Sequence, residues 1–246
     1  MKYLMLICTD GVSTPEIAAT MQEHVPSWAE EMKGRGVRRF GLALEGLGSA
    51  RTVRVRGGET LIADGPFVES KEFIGGLNVI DCENLDEAIE VAAKHPVSWH
   101  FTIEVRPFID YAQQPGCAPE SDPVDIDPSS ARYLLMMCLD GIPEAPEVEE
   151  RIMRDSVAWR EQVQASGDYV YGHPIQHANT ATSVRVRDGK TLLTDGPFTE
   201  SKEFLGGFAI LSCETQEDAI ALAAKHPLAR FHMIEVRPFF NHGRNG

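Results

Sequence analysis

Two segments of the chain carry more reactive side chains than the rest. Asp64-Gly65-Pro66-Phe67 leads through Glu69, Lys71 and Glu72 to Gly75-Gly76. Asp195-Gly196-Pro197-Phe198 leads through Glu200, Lys202 and Glu203 to Gly206-Gly207. Carboxylates and an ammonium set between glycines could move protons on a substrate, with the lysine steadying negative charge as it develops. In that reading Asp195 or His173 is the base and Lys202 the electrostatic partner, with Asp64 and Lys71 as first-loop counterparts. Glu69, Glu72, Glu200 and Glu203 would then hold the ligand. The competing reading is structural. Asp-Gly-Pro is turn chemistry, and each lysine would pair with a neighbouring acid. Both readings stay open on sequence alone.

Histidines are the other candidates, because imidazole titrates near neutral pH. His95 and His226 each precede a proline at the expected end of a helix, where a histidine complements the dipole and caps carbonyls. His173 and His177 have no counterparts; Leu42 and Gly46 stand at those positions in the earlier part of the chain. Their spacing suits a metal only on a helix. Pro174 lies between them and the segment reads as strand to loop, where four residues span roughly 13 Å. No metal site is expected. One of the two acting alone as a general base, or His177 as a ligand contact, fits better.

These residues sit on a duplicated framework. Val53 to Phe108 aligns without a gap on Val184 to Phe239, 131 residues later, with 33 identities in 56 positions. The repeats are read as residues 1–109 and 131–246, joined by a linker at 110–130 that contains Pro115, Pro119, Pro123 and Pro128. Lys2 to Cys8 reads as a strand, and Glu16 to Lys33 as a helix with Pro26 as a candidate break. Val53 to Arg56 alternates apolar and basic residues, and Gly57-Gly58 and Asp188-Gly189 signal tight hairpin turns. Asn84 and Thr215 are N-cap candidates for a second helix that Pro96 and Pro227 stop. The order β-α-β-β-α-β plus a hairpin is α+β and ferredoxin-like. Two such repeats are expected to pack as a pseudo-dimer within one chain.

Composition limits the partners. The net charge of −14 argues against nucleic acid, whose nonspecific binding rests on basic residues facing phosphates. No apolar run approaches the roughly 18–20 residues of a membrane helix. Five cysteines, none in a CxxC and with no export signal, point to reduced thiols and a cytoplasmic location. No Walker loop, GxGxxG or HExxH is present, and no cofactor is expected.

The combined pattern resembles the DGPF branch of the YciI-related (YCII) family. It is carried by Asp64 to Phe67, Lys71-Glu72-Phe73, Gly75-Gly76, the preceding Thr52 to Arg56, Leu85 to Ala88, and Glu104-Val105-Arg106-Pro107. The resemblance implies a dimeric α/β-barrel fold, here built within one chain around a small cavity. It also implies either acid–base chemistry of lyase or isomerase type on a small cyclic metabolite, or a noncatalytic regulatory module linked to an extracytoplasmic-function sigma factor. The histidine–aspartate dyad of the simpler branch lies in the first helix. His24 does not align with it securely, and the second repeat has no histidine in that helix.

Overall fold

The computed structural model describes residues 1–67, 71–110, 130–140, 145–198 and 203–240. Glu69, Glu200, Lys202 and nearly all of the expected linker lie outside the described residues.

The first repeat runs β1 (Lys2–Thr9), α1 (Pro15–Gly34), β2 (Arg38–Ala43), β3 (Arg51–Arg56), β4 (Glu59–Asp64), β5 (Phe73–Asp81), α2 (Leu85–Lys94) and β6 (Thr102–Pro107). The second runs β7 (Tyr133–Leu139), α3 (Pro146–Ala165), β8 (Tyr169–Pro174), β9 (Thr182–Arg187), β10 (Lys190–Asp195), β11 (Phe204–Leu211), α4 (Gln216–Lys225) and β12 (Met233–Pro238). The α+β class and the repeated βαββαβ order with an extra hairpin are as expected. Thr14 caps α1, and Pro26 stays inside that helix rather than breaking it. Asn84 and Thr215 cap α2 and α4, the latter through a full capping box with Asp218. No described helix is long and apolar enough to cross a membrane.

The strands form two six-stranded antiparallel sheets, in the orders β10-β9-β6-β1-β5-β2 and β4-β3-β12-β7-β11-β8. Each sheet therefore takes its outer hairpin from the other sequence repeat. β9 pairs with β6 through Ile103↔Val184 and Glu104↔Ser183, and β3 pairs with β12 through Ile234↔Val53 and Glu235↔Thr52. The compact units follow this exchange rather than the repeat boundaries. The first contains Met1–Leu44, Ser70–Phe108 and Ile175–Glu200; the second contains Glu45–Glu69, Ile109–Pro174 and Ser201–Gly246.

The exchanged hairpins are held by burial and by arginine. Val184 is fully buried in the core of the first unit, among Tyr3, Met5, Trp28, Ile103 and Val105. Val53 is fully buried in the second, among Leu135, Trp159, Ile234 and Val236. Each such valine contributes roughly 1.5–3 kcal/mol. At the hairpin ends, Arg187 donates to the carbonyls of Ser98, Trp99 and His100. Arg56 donates to those of Ala229, Arg230 and Phe231. Those carbonyls end short 3₁₀ segments and have no helical partner of their own. The turns are tight because two successive residues take positive φ: Gly57 and Gly58 at 59° and 85°, Asp188 and Gly189 at 51° and 71°.

Candidate functional site

The loop tetrapeptide has a definite job in each unit. In the first, the Gly196 N–H donates to Ala181 O at 2.8 Å, and Ser183 Oγ donates to Gly196 O at 3.0 Å. Pro197 has no N–H, so the next donor along the loop is Phe198, which donates to Glu104 Oε2 at 3.1 Å. The second unit repeats this: Thr52 Oγ1 donates to Gly65 O at 3.0 Å, and Phe67 N donates to Glu235 Oε2 at 3.0 Å. The receiving carboxylates are fully buried and ion-paired, Glu104 with Arg106 and Glu235 with Arg237. A buried carboxylate needs its charge and lone pairs satisfied, and these two have a guanidinium on one oxygen and a loop N–H on the other. Glu104, Arg106, Glu235 and Arg237 were not among the expected site residues. The signal was present: Ile-Glu-Val-Arg-Pro is identical in both repeats.

The expected loop residues are spread out. Asp64 and Asp195 are exposed last residues of β4 and β10, and Asp64 pairs with Arg51 at 3.1 Å. Lys71 is exposed and Glu203 half-buried. Glu72 is ion-paired with Arg185 at 3.3 Å, and Arg185 Nε also donates to Thr102 Oγ1 at 2.5 Å. Asp195 and His173 fall in different units, because the β9–β10 hairpin leaves its own repeat. His173 and His177 are divided in the same way. His173 is buried on β8 and its Nδ1–H donates to Pro174 O at 2.7 Å. His177 is exposed and its Nδ1 accepts from Asn179 N at 3.2 Å, capping a short 3₁₀ turn. The second glycine of each loop is a matter of space: a Cβ on Gly76 would lie 2.8 Å from Leu42 O.

His95 and His226 are structural. Their Nδ1 atoms accept from Val97 N at 3.1 Å and Leu228 N at 3.2 Å. Their rings lie edge-on to Trp28 and Trp159, whose Nε1–H groups donate to Val91 O and Leu222 O. Burial, joined at His95 by Arg38, brings both imidazoles down to about 3, so they are neutral at working pH. Burial likewise pushes the Cys8 and Cys138 thiols well up, with Glu104 and Glu235 adding to the effect. Neither is a ready thiolate.

One acid–base pair stands apart, in the second unit. His232, a buried residue just before β12, places Nδ1 3.2 Å from Oδ1 of half-exposed Asp140, just after β7. The two are close enough for an ion pair but outside hydrogen-bond geometry, so that Nδ1 is buried without a hydrogen-bond partner. The first repeat has Asp10 at the aspartate position but Phe101 at the histidine position. Beside His232, Met233 Sδ accepts from Arg54 at 3.2 Å. Its counterpart Arg185 is instead ion-paired with Glu72 and bonded to Thr102. The second unit thus holds a histidine–aspartate pair that the first lacks and, separately, an arginine, Arg54, with no acidic partner among the described residues. In the sequence His232 lies one position out of register with His100, which argues against a role shared by the two repeats, and its partner is 92 residues away.

The family model for the YCII-related domain matches residues 1–111 and again 133–241. Among curated proteins, an uncharacterized protein of Rhizobium meliloti (strain 1021) is 41% identical over 75 residues, covering 29% of this chain and 57% of that protein. The match thus spans little more than half of the relative's length.

Proposed function

The chain belongs to the YCII-related domain family, and from that premise we propose that it is an acid–base catalyst of lyase or isomerase type, acting on a small cyclic metabolite through its own side chains. The observation that carries this reading is the 3.2 Å approach of His232 Nδ1 to Asp140 Oδ1, present in one unit only. Asp140 lies 3.2 Å from Nδ1 without a hydrogen bond in the resting structure. A small turn of the ring would let the carboxylate accept from Nδ1–H and leave the lone pair on Nε2. Nε2 takes a proton from carbon or oxygen of the substrate, and the Asp140 carboxylate steadies the imidazolium that forms. The same nitrogen returns the proton to the product. In this reading Arg54 would steady an enolate or alkoxide as it develops. Loop residues Lys202 and Glu203 of the second repeat would contact the substrate.

The test is solvent exchange. Small ring ketones and lactones are incubated in D2O with the protein, and loss of α-proton signals is followed by NMR. Exchange above background that disappears in His232→Gln supports the reading. Exchange that survives in His232→Gln removes the histidine from it. A panel on which the native protein does nothing favours the alternative.

That alternative is a noncatalytic regulatory module linked to an extracytoplasmic-function sigma factor. The first unit favours it: Phe101 stands where a base would be, and Glu72 and Glu104 are already engaged by Arg185 and Arg106. Recovery of a sigma factor with the tagged chain would support it.

A further inference from the structure

A separate feature of the second unit has no part in the acid–base reading. A cavity of about 660 Å³ lies between the β3–β4 turn and the last turn of α4. Small-molecule sites span roughly 300–1,000 Å³. Its polar lining is Arg56, Thr60, Lys225 and Arg230, and its apolar lining includes Val55, Ala221 and Ala224. No carboxylate lines it, in a chain whose net charge is −14.

The same place in the first unit is different in chemistry. There Asp188 replaces Gly57, Glu90 replaces Ala221 and Trp99 replaces Arg230. Lys94, the counterpart of Lys225, is bound to Glu90 at 2.6 Å. At the lining positions the first unit thus offers Arg187 and Lys94 against Asp188 and Glu90, a balance of zero, and the second offers Arg56, Lys225 and Arg230 with no acid. At the adjoining turn position, which does not line the cavity, the second has Glu59 where the first has Lys190. A lysine in the last helical turn complements the dipole in both copies. That accounts for Lys94 and Lys225, but not for the loss of two acids and the gain of an arginine around one of them. Arg56 has its donors on main-chain carbonyls. Lys225 and Arg230 have no acidic partner among the described residues.

We propose that this cavity binds a small organic anion. Its carboxylate lies between Lys225 and Arg230 within reach of the Thr60 hydroxyl, and its apolar body rests on Val55, Ala221 and Ala224. Neither His232 nor Asp140 lines the cavity, so the proposal stands or falls apart from the acid–base reading.

The experiment is an amide-resolved NMR titration of the full chain with benzoate and with inorganic phosphate. Benzoate should move the Gly57, Gly58 and Ala221 amides and leave Asp188 and Gly189 in place. Lys225→Gln should weaken binding about tenfold, the value of one charge-assisted contact. Ala221→Glu, at an exposed helical position, restores the acid of the first repeat and should abolish binding. The proposal is overturned if benzoate up to about 10 mM, a very weak affinity, leaves Gly57 and Gly58 unmoved. It is equally overturned if Ala221→Glu binds as the native chain does, if the first-unit turn responds alike, or if phosphate binds as tightly as benzoate.

Discussion

The main-chain N–H of Phe198 meets Glu104 Oε2 at 3.1 Å, so the loop of the second repeat is tied to the last strand of the first. Glu104 is fully buried and also holds Arg106. Three features that the sequence presents separately, the tetrapeptide, the Ile-Glu-Val-Arg strand and the hairpin, are parts of one joint. The joint gives Asp-Gly-Pro-Phe a structural reason to stand in both repeats that needs no reaction.

Removing the carboxylate should therefore act on stability. Glu104→Gln leaves Arg106 as an uncompensated buried charge and should cost about 3–5 kcal/mol. Replacing both, as Glu104→Met with Arg106→Leu, removes the buried charge and should recover much of that loss. Urea unfolding of the two variants checks the difference. Equal destabilisation by the single and double changes would show that the pair is not the source.

The hairpin should come away first when its arginine is lost. Arg187 donates to three carbonyls, of Ser98, Trp99 and His100. Arg187→Met leaves those acceptors without donors while keeping much of the aliphatic stem. The expected loss is about 1–3 kcal/mol. Hydrogen exchange should rise across Thr182–Asp195 before it rises in β1 or β5. Uniform acceleration over the whole sheet would contradict a local staple.

Acid should weaken the fold through the two structural histidines. His95 and His226 sit at about 3 when folded, against 6.5 for an ordinary histidine. The unfolded chain therefore takes these protons first. Their contribution is complete above pH 6.5 and is lost as pH falls from there toward 3. Between pH 6.5 and 5 the loss is of order 2 kcal/mol per histidine. His95→Asn and His226→Asn keep an acceptor for the Val97 and Leu228 amides but do not titrate. Stability measured against pH should be flatter over that window in the double variant.

Much of the framework was legible because it is locally encoded. Turn residues with positive φ, N-caps and the alternation of Val53 to Arg56 each report on a few neighbours, and they give the strands, helices and hairpins. The exchange was not legible, for a specific reason. Val53-Arg54-Val55-Arg56 and Val184-Arg185-Val186-Arg187 are identical, so either hairpin suits either edge and the sequence carries no preference. Glu104 and Arg106 alternate with Ile103 and Val105, as residues on a solvated strand face would. Glu104 is instead buried and met by a loop N–H from the other repeat. The loop acids are suited to proton transfer by type, but Asp64 and Asp195 end exposed strands, while the partner of His232 is supplied only by the fold.

The exchange itself makes the last prediction. Residues 1–110 alone would present β6 without β9, leaving Ile103 and Val105 without Val184 and Glu104 without the Phe198 N–H. The same fragment carries a β3–β4 hairpin with an identical Val-Arg-Val-Arg strand and its own Phe67 N–H. That hairpin can complete the β6 edge of a second fragment as β9 does in the full chain, and the second can do the same for the first. Closed two-fold exchange satisfies both edges at once, whereas a monomer has to fold its own hairpin back. The isolated repeat should therefore run as a dimer in light scattering coupled to gel filtration. Arg56→Met, which removes the arginine that caps the 3₁₀ carbonyls in this arrangement, should shift it toward monomer. A stable monomeric repeat with native helix content would mean that the hairpin pairs within its own repeat when it can, and that exchange in the full chain is imposed by the join between the copies.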